Sequence, residues 1–220
     1  MHYGSYVADR RAPFEQHVED FRALAAAARR AGARAITCLG GCDAWPVASS
    51  ERFYAMAMEM AADQGLPVTF ETHRGRPMFN PWTTMDLLAR LSDLRLTADF
   101  SHWCVVTERL LTTEDEELAQ VIPRVDHIHA RVGYDQGPQV PHPGAPEYHA
   151  ALEAHSGWWA AIWREQVRRG VALSTMTPEF GPDGYLQARP FSGEPVGDLR
   201  ELNQWIAGNQ RERFAKAIGE

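Results

Sequence analysis

Lysine is nearly missing from this chain: among 220 residues with 22 basic side chains, Lys216 is the only one. It falls in a polar tail beyond the last predicted helix, which leaves Schiff-base chemistry without a plausible amine. Cysteine is scarce as well. Cys38, Cys42 and Cys104 form no even framework, and a chain of this length does not need covalent staples, so they read as reduced thiols of a cytoplasmic protein. The C-x-x-x-C of Cys38 and Cys42 has no second pair, which argues against a closed four-ligand zinc site. Positive charge is in deficit, at a net −7, which argues against nucleic acid as a partner because binders of a phosphate backbone show a basic face. No apolar run approaches a membrane span and no basic leader with an apolar core opens the sequence, so a soluble, unexported protein with no membrane partner is expected.

What is present is a globular composition, 45% hydrophobic, and the expectation is one domain over residues 1–220. Short β-branched or apolar runs at 2–7, 33–41, 66–71, 94–100, 124–131 and 171–180 read as strands. Between and after them, helical periodicity covers 13–31, 50–64, 83–91, 107–121, 148–169 and 198–215. Gly32 and Gly65 act as stops for the first two helices, and Thr83 or Thr84 is placed to cap the third. Two Pro/Gly-rich stretches, 133–146 and 181–197, are too long for simple connectors and mark candidate functional loops. Alternating strands and helices imply a parallel sheet with helices outside, hence an α/β fold of the (β/α) TIM type. A closed barrel needs eight strands and typically ~250 residues, so about six βα units predict an incomplete one.

Four of the strand-like runs end in a residue able to hold a metal: Glu71, Asp99, His129 and Glu179, separated by 28, 30 and 50 residues. Strand ends on one rim are where this fold assembles its site. Three carboxylates and one imidazole form an oxygen-rich set suited to Mn²⁺ or Mg²⁺, with Co²⁺ or Zn²⁺ tolerated, and manganese is the expected ion. Such a set favours a neutral sugar or polyol unless Arg74, Arg76 or Arg131 offsets its charge. A divalent ion against a carbonyl and its neighbouring hydroxyl stabilises an enediolate. If Glu71 and Glu179 approach the substrate carbon from opposite sides, one removes the proton and the other returns it, which is isomerisation or epimerisation.

His102, three residues past Asp99, and Arg131, two past His129, are placed to reach substrate oxygens. His127 has the parity of His129 one pleat deeper, as a packing partner of the ligands. His73 reads equally as loop surface or support. Trp103, Tyr134 and Phe180 are candidate pocket walls, with packing as the plainer reading. His142, His149 and His155 read as surface, and Glu114, Asp115, Glu116 and Glu117 as a solvated helix end.

These motifs, FETHRG around Glu71, the D-x-x-H of Asp99 and His102, the H-x-H-x-R of His127, His129 and Arg131, and PEFGP around Glu179, resemble the xylose-isomerase-like TIM-barrel superfamily of sugar isomerases and epimerases. The resemblance runs over about residues 1–210 and aligns 2–7 with the third barrel strand, so the first two βα units are expected to be lacking. It implies metal ligands Glu71, Asp99, His129 and Glu179, acid/base roles for Glu71 and Glu179, and substrate contacts for His102 and Arg131. Where ketose 3-epimerases carry a glutamate after the H-x-H-x-R arginine, this chain has Val132. Alternatives are a dehydratase or lyase of a cyclic polyol, which could use the same ligands, an endonuclease-like phosphodiester hydrolase, which would need more histidines and a basic surface, and a metal-binding but non-catalytic truncated barrel. Exposed sheet edges at 2–7 and 171–177 predict a homodimer or larger assembly.

Overall fold

The computed structural model describes residues 2–6, 9–113, 115–182 and 184–219. Val7 of the first predicted strand and Glu114 of the acidic run lie outside the described residues. Six strands, β1 (His2–Tyr6), β2 (Ala35–Leu39), β3 (Val68–Glu71), β4 (Leu96–Ala98), β5 (Val125–Ala130) and β6 (Thr175–Pro178), follow chain order in the sheet. The pairings β1/β2, β2/β3 and β3/β4 are parallel. With helices between the strands, this is the predicted incomplete (β/α) TIM-type barrel. The chain divides into two compact units, residues 1–98 with 124–127, and residues 99–123 with 128–220.

The first unit is built by helices α1 (Phe14–Arg30), α2 (Val47–Asp63) and α3 (Pro81–Arg90) against β1 to β4. Val18, Phe21, Leu24, Ala25 and Ala28 form the buried stripe of α1, at the spacing that keeps one helical face inward. Phe21, Phe53, Tyr54 and Phe70 make the aromatic core, with Tyr54 and Phe70 centroids 4.7 Å apart. The Gly40-Gly41 loop after β2 is explained by that core: a Cβ on Gly40 would sit 2.5 Å from the Phe53 ring. His17, fully buried on α1, accepts from the Gly41 N–H at 3.2 Å, and Arg76 donates to the Gly41 carbonyl at 2.8 Å. Helix α3 starts at Pro81, two residues before the expected Thr83, and its cap is Asn80, which accepts from the Thr83 N–H at 2.9 Å. Buried hydroxyls of Thr37, Thr69 and Thr97 bond one another across β2, β3 and β4 at 2.7–3.3 Å, satisfying polar groups inside an otherwise apolar sheet.

The second unit holds α4 (Ser101–Thr107), α5 (Glu116–Val121), α6 (His149–Arg168), β6 and α7 (Leu199–Ile218). Of the helix expected over 107–121, only α5 and the last residue of α4 are helical; α4 lies ahead of that range, where no helix was expected. Helix α4 begins directly after the Asp99 strand end, and Glu108 stops it in the left-handed region at φ 52°. Thr112 then donates its N–H to Asp115, and buried Leu111 accepts from the Trp158 indole at 3.1 Å, which holds the chain in a turn. Trp158, Trp159, Ile162 and Trp163 form the buried face of α6, and Trp163 meets Phe214 of α7 at 5.1 Å. Helix α7 runs past its expected end, so Lys216 lies in its last turn rather than in a tail. His155, read from sequence as surface, is fully buried on α6. Its Nδ1–H donates to the Ala151 carbonyl at 2.9 Å, and its Nε2 accepts from the Gly133 N–H at 3.2 Å. Burial lowers its pKa to about 4.

Candidate functional site

Strand β4 and the turn into α4 set Asp99 and His102. Asp99 is completely buried, and its Oδ1 accepts from both the N–H (3.1 Å) and the hydroxyl (2.5 Å) of Ser101, a local turn that fixes the carboxylate. The single helical turn from Asp99 brings His102 Nε2 to 3.4 Å from Asp99 Oδ2. His129 in β5 and Arg131, the first residue past its end, share a parity and both reach Glu179. His129 Nδ1 lies 2.8 Å from Glu179 Oε2. Arg131 Nη2 lies 3.2 Å from Glu179 Oε2 and 3.5 Å from Asp99 Oδ2, and its Nε donates to the Glu179 backbone carbonyl at 3.0 Å.

Asp99, His129 and Glu179 each offer a ligand atom, and these lie within 4.8 Å of one another. Two carboxylates and an imidazole suit a divalent cation of the Mn²⁺, Mg²⁺ or Zn²⁺ class, so the donor chemistry fits a metal. The two carboxylates face one guanidinium, which leaves the cluster negative. Burial works to raise the Glu179 carboxyl, but the charges of His129 and Arg131 outweigh it and hold its pKa near 2. Burial works to lower Arg131, and Asp99 and Glu179 together overcome it, so its pKa is raised.

Sequence reasoning thus named five residues that the second unit gathers: Asp99, His102, His129, Arg131 and Glu179. Glu71 closes β3 in the first unit, buried, on the sheet face it shares with Thr69 two residues earlier. His127 is buried in β5 one pleat before His129. His73 is half-buried, its Nδ1 2.5 Å from the Arg74 carbonyl. Trp103 stacks on Phe100 at 4.7 Å and Tyr134 packs edge-on to Tyr148 at 5.5 Å, so both meet other aromatic rings. The Arg131 fork engages Glu179 and Asp99.

Three residues escaped the sequence. Tyr185, from the loop after β6, lays its ring 4.1 Å from the Arg131 guanidinium carbon and 6.2 Å from the His102 ring. Gln139 and Asn203 grip the backbone that follows Glu179. All three act from loop positions or through main-chain groups, where hydrophobic periodicity carries no signal.

No family model matches the sequence, and no curated protein matches it. Solved structures do. A xylose isomerase-like TIM barrel protein from Mycobacterium smegmatis in complex with magnesium aligns over 93% of this chain and 68% of its own, at 15% identity and a TM-score of 0.58. A D-allulose 3-epimerase from Methylomonas sp. aligns over 90% of this chain and 70% of its own, at 12% identity and a TM-score of 0.59. The probable 3-DHS dehydratase AsbF from Bacillus anthracis aligns over 94% of this chain and 75% of its own, at 18% identity and a TM-score of 0.56. The chain has the fold of the xylose isomerase-like TIM barrels. These neighbours are enzymes of epimerase and dehydratase type or metal-bound barrels of that fold. No helix among the described residues is long and apolar enough to cross a membrane.

Proposed function

We propose that this protein is a divalent-metal-dependent isomerase or epimerase of a small sugar or polyhydroxy carbonyl compound, working through an enediolate. The observation that carries the reading is the convergence of Asp99, His129 and Glu179 donor atoms within 4.8 Å beside the Arg131 guanidinium. Glu71 is the fourth ligand of the proposal, supported by its place at the buried end of β3. Manganese is the proposed ion, since hard oxygen donors dominate the set. When bound, the ion supplies Lewis-acid polarisation of the substrate carbonyl.

Glu71 and Glu179 form the acid/base pair: one removes the proton beside the carbonyl, and the other returns it. His102, held near Asp99, is the group proposed to meet a substrate oxygen. Arg131 is proposed to touch substrate on the edge of its fork not turned to Asp99 and Glu179, with the Tyr185 ring alongside. Because its charge already answers two carboxylates, a neutral polyol suits the site better than an acid. The dehydratase alternative remains a second reading, since the same proton abstraction begins both reactions and one neighbour is a probable dehydratase. A cytoplasmic setting fits buried Cys38 and Cys104, whose thiol pKa values burial raises. A homodimer or larger assembly is the proposed state, to be checked by light scattering.

The deciding experiment incubates the Mn²⁺-loaded protein with a panel of ketoses and aldoses in D₂O. Deuterium entering the carbon beside the carbonyl, with a new epimer or isomer, is the expected result. Loss of water from a polyol without epimer formation selects the dehydratase. No exchange with any polyol, from protein that binds Mn²⁺, ends the catalytic reading.

A further inference from the structure

We infer that Glu179 is positioned by a side-chain clasp on the backbone behind it, with Gln139 and Asn203 as positioning residues. The inference rests on the reading of Glu179 as a metal ligand. Strand β6 ends at Pro178, and just past it the Glu179 N–H reaches the Ala130 carbonyl at the end of β5 over a long 3.4 Å. Beyond it the chain leaves the sheet while carrying a half-buried glutamate whose carboxylate has to stay in place. Side chains take over where the ladder stops.

Arg131 Nε donates to the Glu179 carbonyl at 3.0 Å. Asn203 accepts from the Phe180 N–H at 2.9 Å and donates to the Phe180 carbonyl at 3.0 Å. Gln139 accepts from the Gly181 N–H at 2.8 Å and donates to the Gly181 carbonyl at 3.2 Å. A primary amide carries a donor and an acceptor side by side, so each of these side chains pairs with both main-chain groups of one residue, as a neighbouring strand would. Three consecutive residues are thereby fixed from three different elements.

The clasps are themselves held. Gln139 is buried, and the next residue, Val140, returns its N–H to the Val132 carbonyl at 2.9 Å, one residue past Arg131. Asn203 also donates to the Leu199 carbonyl at 2.9 Å within α7, whose first turn Asp198 caps through the Glu201 N–H at 3.0 Å. The loop 133–146 and the start of α7 therefore meet at the segment that aims Glu179. Carboxylate ligands depend on such supports, whose removal typically costs about 10–100-fold in metal affinity.

The test measures Mn²⁺ affinity of the full chain by chelator competition, for Gln139→Met and Asn203→Leu, which keep volume and remove the amides. Gln210→Met is the control: Gln210 is buried on the same α7 and bonds Ser156 at 3.1 Å, away from the clasp. Should either clasp variant fold poorly by circular dichroism, Gln139→Glu and Asn203→Asp replace it, since each keeps the acceptor and exchanges the donor for a charged carboxylate oxygen. The expected result is roughly 10–100-fold weaker Mn²⁺ binding in the amide-deleted variants, a smaller loss in the acids, and a change under about twofold in Gln210→Met. Clasp variants that bind Mn²⁺ like the parent, while Glu179→Gln does not, overturn the inference and leave the proposed function standing. Equal losses in Gln210→Met also overturn it. If Glu179→Gln itself binds normally, the ligand reading fails instead.

Discussion

Arg131 holds Glu179 twice, through its backbone carbonyl at 3.0 Å and its carboxylate at 3.2 Å, while the same Nη2 stands 3.5 Å from Asp99. One cation thus answers two carboxylates in a largely buried cluster. Removing one partner of a buried ion pair leaves the other charge uncompensated, at a cost of about 3–5 kcal/mol. Arg131→Met is expected to lose stability in that range when metal is chelated. Mn²⁺ should return part of it, since a cation at the same carboxylates replaces the missing charge. Arg131→Lys keeps the charge without the fork and should fall between. Denaturant melts with EDTA and with Mn²⁺ check all three, and an Arg131→Met protein as stable as the parent under EDTA contradicts the charge argument.

The 2.8 Å contact between His129 Nδ1 and Glu179 Oε2 predicts how metal binding should respond to acid. An imidazole ligand has to be neutral and a carboxylate ionised, so protons compete with the ion. Mn²⁺ affinity should fall steadily as pH drops below neutrality. His129→Ala and Glu179→Gln should each lose more than the ~10–100-fold typical of supporting residues, because they remove ligands outright. Calorimetric titration at several pH values reads both effects, and a pH-independent affinity would show that His129 is not a ligand.

The ligand-bearing positions were legible because each lies at or beside the end of a short strand whose pleat repeats a theme. Thr69 precedes Glu71, Thr97 precedes Asp99, His127 precedes His129 and Thr177 precedes Glu179, always by two residues. Period-two alternation puts each of these pairs on one face, and the bonded trio of Thr37, Thr69 and Thr97 shows how the polar layer is tolerated. Helix α4 was missed because Ser101 follows Asp99 with one residue between strand end and helix, leaving no punctuation to read. His155 was misread by its polarity, although it lies three and four residues before Trp158 and Trp159, on the stripe that is buried. Tyr185, Gln139 and Asn203 depend on where loops return in space, which local pattern does not encode.

His155 supplies a stability prediction with a definite sign. Its folded pKa is lowered from 6.5 to about 4, so between those values the unfolded chain binds the proton that the folded chain refuses. Stability contributed by the neutral ring is therefore complete above the unfolded pKa and is lost as pH falls toward 4, a span worth on the order of 3 kcal/mol at most. His155→Phe should be less stable near neutrality, since the Gly133 N–H loses its acceptor, yet should show a flatter decline between pH 6.5 and 4. Urea melts of both proteins across that window provide the comparison, and parallel slopes would mean that His155 is not the group that titrates.

Gly133 bonds His155 through its N–H and packs on Ser101, the residue that holds Asp99. A Cβ at this position would lie 2.7 Å from the Ser101 carbonyl oxygen and 2.8 Å from its Cα, both backbone atoms that cannot swing aside. Ser101 in turn holds Asp99 Oδ1 through its N–H and hydroxyl. Gly133→Ala must therefore displace either the chain after β5 or the turn that clamps Asp99, and overpacking of this kind costs roughly 1–3 kcal/mol. Because the displaced turn carries a proposed ligand, Mn²⁺ binding should weaken together with the thermal midpoint. Gly208, inside α7 with nothing near its missing Cβ, makes the opposite case. Gly208→Ala should raise stability by about 0.5–1 kcal/mol through helix propensity and leave Mn²⁺ affinity where it was. Opposite signs in the melts, with a metal effect in Gly133→Ala only, are the expected pattern, and a Gly133→Ala protein of parent stability and affinity would mean that Ser101 and Asp99 do not depend on that contact.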